Sequence, residues 1–236
     1  MPAVSPPTPT EVEALFGRIA PVYDSFNFWL SLGQHQVWKA MTVGWSACQQ
    51  GDQVLDVCCG TGDLTQRLAK QVGLSGQVVG LDFCSELLAL AAQRHRQTYP
   101  QYSVQWLQGD ALALPFADQS FDGATMGYGL RNVGDIPQAL TELQRVLKVG
   151  KKVAILDFNH PRAPWMQRFQ DWYLNQIVLA VAGYFRVPEE YAYIQASLDR
   201  FPPGQEQVKM AYNAGFSRVV HYEIAGGLMG VLVAQK

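Results

Sequence analysis

Three carboxylates and a pair of glycines stand at spacings that suit the cradle of a nucleoside. The stretch Val54 to Asp63 reads VLDVCCGTGD, an apolar run interrupted by Asp56 that ends in Gly60-Thr61-Gly62 and passes into the polar, helix-favouring DLTQRLAK. That order predicts a buried strand, a tight turn and a helix start, the arrangement by which open α/β sheets hold nucleotide-like ligands at the carboxyl ends of their strands. As a dinucleotide fingerprint the turn fails, because Thr65 stands where a third glycine belongs. An acid inside the strand, as in D-x-x-x-G-x-G, suits an S-adenosylmethionine site, where it orients the glycine loop and approaches the sulfonium end of the ligand. An ordinary β-α turn with glycines is the plain alternative.

Asp82 closes the expected second strand, twenty residues after Gly62. At that spacing a carboxylate accepts both hydroxyls of a ribose. Capping the following helix is its structural alternative, and one carboxylate can do both. After the third strand come Gly109-Asp110-Ala111 and Leu114-Pro115-Phe116. An acid followed by a small residue there suits an adenine amino group, with Phe83 or Leu112 offering an apolar face to the ring. The fourth strand ends at Gly127 and leads into Tyr128-Gly129-Leu130-Arg131-Asn132.

The elements that must position these residues alternate as in a parallel sheet. Strands are expected at Gln53–Val57, Gln77–Leu81, Ser103–Gln108, Phe121–Gly127 and Lys152–Asp157, with helices at Asp63–Val72, Ser85–Gln97 and Ile136–Leu147. Ala111–Gln119 reads as loop. Ahead of them, Glu11 to Ser31 has a helical apolar period broken at Pro21, which predicts two short helical pieces, and His35 to Cys48 predicts a further helix. Behind them, Pro164 to Tyr184 is a long apolar helical segment and Glu206–Ala214 another helix. Ser217–Glu223 and Gly227–Ala234 read as a hairpin joined around Gly226-Gly227. The fold class is therefore α/β, with residues 1–10 as a flexible proline-rich tail and 11–236 as one domain, in which 11–50 form a helical lid and 160–205 an apolar helical insertion.

Composition narrows the function. The chain has 236 residues, 48% of them hydrophobic and 16% charged, enough for one sizeable core, and its net charge of −2 comes without a Lys/Arg cluster. Nucleic acid is not an expected partner. Cys48, Cys58, Cys59 and Cys84 lack zinc-site spacing and read as reduced, buried thiols of a cytoplasmic protein; the four scattered histidines suggest no metal. The longest apolar run, Ile177 to Phe185, is nine residues, well short of the ~20 that cross a bilayer.

The stretches VLDVCCGTGDLT, VVGLDFCSELL, GDALALPFADQSFDGATMGYGLRNV and ELQRVLKVG resemble the signature of the menaquinone and ubiquinone C-methyltransferase family of class I methyltransferases. FGRIAPVYDSFNFWLSLGQHQVWK is similar to that family's lid, and the likeness runs from about Phe16 to the C-terminus. CCGTGD, MGYGLRNV, LDFN and HYEIAGGLMGVLVA resemble the branch that makes phylloquinone. The resemblance implies a Rossmann-like, mostly parallel seven-stranded sheet with a C-terminal antiparallel hairpin, S-adenosylmethionine as cofactor and a prenylated, here phytyl-bearing, naphthoquinol as acceptor. Other prenylated quinols are the nearest alternative, and a nicotinamide-dependent oxidoreductase a more distant one.

The family pattern places quinol-activating residues at Arg131 and Asn132. Methylating a ring carbon needs a carbon nucleophile, which an aromatic carbon becomes when a neighbouring hydroxyl loses its proton. For a phenol-like pKa of about 10, ionisation at pH 7 costs about 4 kcal/mol, which a cation or strong donor at the developing oxyanion must offset. A guanidinium is a poor base, so Arg131 is assigned to charge stabilisation and to polarising a water that takes the proton. Tyr23, in the lid's Ala20-Pro21-Val22-Tyr23-Asp24, completes the expected network. Amino-group methylation is less expected, because no Asn/Asp-Pro-Pro-Tyr run closes the fourth strand.

Between Pro164 and Tyr184, one helical stripe carries Met166, Phe169, Tyr173, Ile177, Ala180 and Tyr184 and another carries Trp165, Trp172 and Leu179. Two apolar faces imply a helix that is fully buried or touches something greasy. The second reading makes Trp172 and Tyr173 contacts for the substrate's tail and allows a peripheral contact with a membrane surface, with Arg162, Arg168 and Arg186 at the headgroups.

Overall fold

The computed structural model describes residues 28–29, 31–185 and 188–236, and their side chains except at 182, 184–185 and 188–192. The expected helical pieces before Ser31 lie outside the described residues except for Phe28 and Trp29. In chain order the elements are α1 (His35–Ser46), β1 (Gln53–Val57), α2 (Asp63–Val72), β2 (Gln77–Asp82), α3 (Ser85–Thr98), β3 (Ser103–Gln108), β4 (Gly123–Gly127), a 3-10 turn (Leu130–Asn132) and α4 (Ile136–Val146). Then come β5 (Lys152–Phe158), α5 (Pro164–Tyr173), a π-turn (Leu174–Val178), α6 (Leu179–Phe185), α7 (Pro188–Arg200), α8 (Gly204–Asn213), β6 (Arg218–Ile224) and β7 (Met229–Gln235).

The seven strands form one sheet in the order β3-β2-β1-β4-β5-β7-β6. β1 to β5 are parallel, and β7 runs antiparallel to both β5 and β6, as a hairpin closed by Gly226-Gly227 allows. In β1, Val54, Leu55, Asp56 and Val57 are all buried, the signature of a strand covered on both faces. Leu55, Leu81, Phe121, Met126, Leu140 and Ile155 meet in the main core, each contributing about 1.5–3 kcal/mol by burial. The strand order reverses between β1 and β4, so their carboxyl ends open a crevice between diverging connections.

Two sequence expectations change. The fourth strand starts at Gly123 and not at Phe121: Phe121 makes one isolated parallel bridge to Leu147, and the Asp122 carboxylate accepts from Gln53 N at 3.2 Å and Lys148 Nζ at 2.9 Å, ending the ladder. The apolar segment from Pro164 presents one buried face. Gln170, Leu174 and Val178, four residues apart and so on one side of the helix, are buried, while Trp165, Phe169, Trp172, Ile177 and Leu179 are exposed. Neither stripe read at a period of 3.6 is the buried one.

Candidate active site

The glycine turn after β1 is held from below. Asp56 has no exposed surface, and its two oxygens accept from Thr65 Oγ1 of α2 at 2.6 Å and Thr125 Oγ1 of β4 at 2.7 Å. Burial pushes its carboxyl up to about 6 against the pull of these hydroxyls. The carboxylate thus ties the first turn of α2 to the two central strands. The chain leaves β1 through Cys58, whose φ of 55° is unusual for a residue with a side chain, and turns at Gly60 and Gly62 with φ of 55° and 82°. A Cβ on Gly60 would meet nothing within 4 Å, whereas one on Gly62 would stand 2.5 Å from Trp106 Cη2. Gly60 therefore leaves a space that a ligand can enter, and Gly62 lets α2 pack on β3.

Asp82 braces the same turn from β2. Its Oδ2 accepts from Gly60 N at 2.8 Å and its Oδ1 from Cys84 N at 3.0 Å. Burial raises its pKa, opposed by the backbone N–H groups of Cys84, Gly60 and Phe83. A carboxylate has about four acceptor sites, so Asp82 keeps capacity for a ligand hydroxyl beside these donors. Beside it, Phe83 is half-buried with its carbonyl bound by Gln108 Nε2 at 2.9 Å, and Asp110 is exposed, its Oδ1 turned back to Leu112 N at 2.9 Å. Ala111 is buried and Leu112 half-buried. Thr61 is buried in the turn, and Gly127 at the end of β4 is required by α2, since a Cβ there would meet Leu64 Cδ1 at 2.5 Å. The open space at Gly60, beside the Asp82 carboxylate, has room for part of a ligand such as the adenosine portion of S-adenosylmethionine.

The next turn of the sheet carries the acceptor candidates. Tyr128 leaves β4 with a φ of 60°, and its carbonyl accepts from Arg131 Nη1 at 2.8 Å and Asn132 Nδ2 at 3.0 Å. Arg131 is almost fully covered and pairs with Asp157 of β5, Nη1 to Oδ1, at 2.7 Å, with Phe158 stacked 4.9 Å from the guanidinium. Asp157 Oδ2 also takes the backbone N–H of Arg131 at 3.1 Å. This ion pair is buried, not at the surface. It neutralises the guanidinium, which makes Asn132 the donor of this turn best suited to an incoming oxygen. Asn132 Oδ1 accepts from the hydroxyl of Tyr193 on α7 at 2.9 Å.

Arg131, Asn132 and Tyr193 line a cleft of about 620 Å³, within the range of small-molecule sites, together with Ile136, Phe201 and Met210. The acceptor turn touches the glycine turn. A Cβ on Gly129 would come within 2.5 Å of Cys58 Cβ. The structure thus brings Asp56, Gly60, Thr61, Gly62, Asp82, Gly127, Arg131 and Asn132 to one end of the sheet. Tyr23 lies outside the described residues. Trp172 is exposed, and Tyr173 packs into a small cluster with Leu174, Val178 and Leu198 that Phe158, the ring beside Arg131, also joins.

Three residues escaped the reading of the sequence. Asp157 was visible only as part of LDFN, and Tyr193, sixty-one residues from Asn132, gave no local signal. Lys39 of α1 is buried with its ammonium 2.8 Å from Asp63 Oδ2 and 5.9 Å from the Tyr128 ring, clamping the lid-side helix to both turns. Burial acts to raise the Asp63 carboxyl, but Lys39 and Arg67 outweigh it and hold it below its ordinary value. Among the described residues no cluster of metal-ligating side chains occurs, and no helix is long and apolar enough to cross a membrane.

Residues 7–236 match the model of the ubiE/COQ5 methyltransferase family. The chain belongs to the ubiE/COQ5 methyltransferase family. This methyltransferase is 63% identical over 98% of its length to the 2-phytyl-1,4-naphtoquinone methyltransferase of Synechocystis sp., covering 97% of that protein. It is 56% identical to the enzyme of the same name from Nostoc punctiforme, over 96% of this chain and 98% of that one. Against the chloroplastic 2-phytyl-1,4-beta-naphthoquinone methyltransferase of Arabidopsis thaliana it is 49% identical, over 96% and 87% of the two chains. Among solved structures its fold is similar to a SAM-dependent methyltransferase from Aquifex aeolicus, with TM-score 0.60 at 22% identity over 83% and 88% of the chains. A putative S-adenosyl-L-methionine-dependent methyltransferase from Methanococcus maripaludis gives TM-score 0.65 at 19% identity over 94% of each chain. The methyltransferase has the seven-stranded, mostly parallel sheet with its antiparallel hairpin that the resemblance implied.

Proposed function

We propose that this chain transfers the methyl group of S-adenosylmethionine to a ring carbon of 2-phytyl-1,4-naphthoquinol, with Asp56, Gly60, Thr61, Gly62, Asp82, Phe83, Asp110, Ala111 and Gly127 forming the cofactor cradle. The observation that supports this reading is the close approach of the acceptor turn to the glycine turn, Gly129 against Cys58, with Asn132 three residues further on as the candidate oxyanion donor. The names borne by relatives of 49–63% identity support the naphthoquinol as acceptor.

When bound, the cofactor supplies an electrophilic methyl on a sulfonium. The chain must ionise the quinol and keep out bulk water other than the one that takes its proton. Asn132 donates an N–H to the hydroxyl oxygen as it loses its proton to water, and one such donor in a dry site offsets about 2.7–4 kcal/mol of the ~4 kcal/mol that ionisation costs. Arg131, paired with Asp157, acts chiefly by fixing the turn and by its field on that water. Tyr23 is assigned to the network on the family pattern alone. The phytyl tail leaves the site toward the apolar insertion at Trp172 and Tyr173, and the exposed Trp165, Phe169 and Trp172 give the protein a peripheral hold on the membrane from which so lipophilic a substrate is drawn. We read residues 11–236 as one domain, with 11–50 as its lid and 160–205 as its insertion.

Turnover of a panel of quinols tests this. Preference for a phytyl-naphthoquinol over menaquinol-, plastoquinol- and ubiquinol-type precursors is expected, and a higher kcat/KM on a benzoquinol ring would reassign the acceptor.

A further inference from the structure

We propose that Tyr193 is a positioning residue for the methyl transfer, fixing the amide of Asn132 so that an N–H faces the acceptor oxygen. The inference rests on the acceptor reading above and assigns a role to a residue of the helical insertion that neither the motifs nor the family pattern singled out. Its basis is the geometry where Asn132 and Tyr193 line the cleft. An asparagine amide has two faces of opposite polarity, a carbonyl oxygen that only accepts and a nitrogen that only donates. Here both are specified. The Tyr128 carbonyl, 3.0 Å away, requires the nitrogen, and the Tyr193 hydroxyl, 2.9 Å from the other end, donates to the oxygen. The amide nitrogen carries two N–H groups, and Tyr128 takes one. Asn132 lines the cleft, so the other is the donor that the turn offers to a ligand there.

Without the Tyr193 hydroxyl, the amide is held at one end only. A rotated amide turns its carbonyl oxygen toward the cleft, where it repels an oxyanion. Tyr193 comes from α7, beyond the π-turn, while Asn132 follows β4, so this one hydrogen bond couples the insertion to the acceptor turn. Burial raises the Tyr193 pKa, which keeps the phenol a donor through the range in which a quinol ionises.

The test is a double-mutant cycle with Tyr193→Phe and Asn132→Ala in the full chain. It uses adenosylmethionine and 2-phytyl-1,4-naphthoquinol, with cofactor affinity by calorimetry as the control for folding. Tyr193→Phe removes one oxygen and keeps the ring. We expect cofactor affinity within twofold of the parent, kcat at pH 7 lowered about tenfold, and the rising limb of kcat against pH displaced about one unit to higher pH, the shift equivalent to that factor. A packing change alone does not move that limb. In the Asn132→Ala background, Tyr193→Phe should have almost no further effect, because it acts through the amide. An equal loss in both backgrounds overturns the positioning role, as does a Tyr193→Phe enzyme that matches the parent in kcat and pH limb. A parent that does not methylate the naphthoquinol overturns the acceptor reading and this inference with it.

Discussion

Gly60 and Gly62 share one turn but answer to different demands, and replacing each by alanine separates them. At Gly62 an alanine keeps a φ of +82° and sets its methyl 2.5 Å from Trp106 Cη2 and 3.2 Å from Ala91 Cβ. The left-handed backbone costs about 1–2 kcal/mol and the overpacking about 1–3 kcal/mol. A loss of ~2–5 kcal/mol lowers Tm by roughly 5–20 °C in a chain of this size. At Gly60 the φ is +55°, but the methyl enters open space, so only the backbone penalty of about 1–2 kcal/mol applies. That space is the cofactor's on our reading, and the Gly60→Ala protein should bind adenosylmethionine at least about tenfold more weakly, a loss of ~1.4 kcal/mol or more. Ligand-free thermal melts and calorimetric titration measure the two effects independently. The reasoning fails if Gly60→Ala binds the cofactor within twofold of the parent, or if Gly62→Ala melts with the parent.

Four further outcomes are expected. Asp82→Ala loses two charge-assisted hydrogen bonds to a ribose at about 1.5–3 kcal/mol each, together with its hold on Gly60 N, so calorimetry should show much weaker cofactor binding while kcat at saturation changes far less; unchanged affinity would remove Asp82 from the cradle. Arg131→Lys cannot serve both Asp157 and Tyr128 with a planar fork and should slow the chemical step, with cofactor affinity kept; single-turnover rates within twofold of the parent would refute this. Asp56 has its pKa raised by burial from 3.8 to about 6, so its contribution to stability is full below pH 3.8 and is lost as pH rises through about 6. Between pH 4 and 7 the parent should lose ~3 kcal/mol relative to Asp56→Asn in denaturant titrations, and parallel curves would show the carboxylate is stabilised as an ion. Replacing Trp172 and Tyr173 by Ser should raise KM severalfold for the phytyl quinol and scarcely for a tail-less one; equal effects on both would place the tail elsewhere.

The central strands were legible because a strand buried on both faces must be apolar throughout, and Val54–Val57 breaks that rule only at Asp56, whose oxygens are satisfied by Thr65 and Thr125. Glycine positions were legible too, but not their separate reasons. What distinguishes Gly62 from Gly60 is Trp106, brought over from β3, and no local pattern encodes that approach. The buried face of α5 is not legible in apolar spacing because its first member is the polar Gln170, in line with Leu174 and Val178, while the more conspicuous aromatic residues beside it are exposed. Arg131 and Asn132 stood out by their place after β4, yet the partners that decide their chemistry, Asp157 and Tyr193, come from other elements. One changes a free cation into a neutral pair, and the other orients an amide.

Transfer of a carbon-labelled methyl group from adenosylmethionine to 2-phytyl-1,4-naphthoquinol, with the product's label located by NMR, tests the central claim most directly. The account predicts one labelled methyl on the ring carbon adjacent to a hydroxyl-bearing carbon, formed catalytically by the parent and much more slowly by Asn132→Ala. A label found on oxygen, or no labelled quinone under conditions where calorimetry shows the cofactor bound, would contradict it.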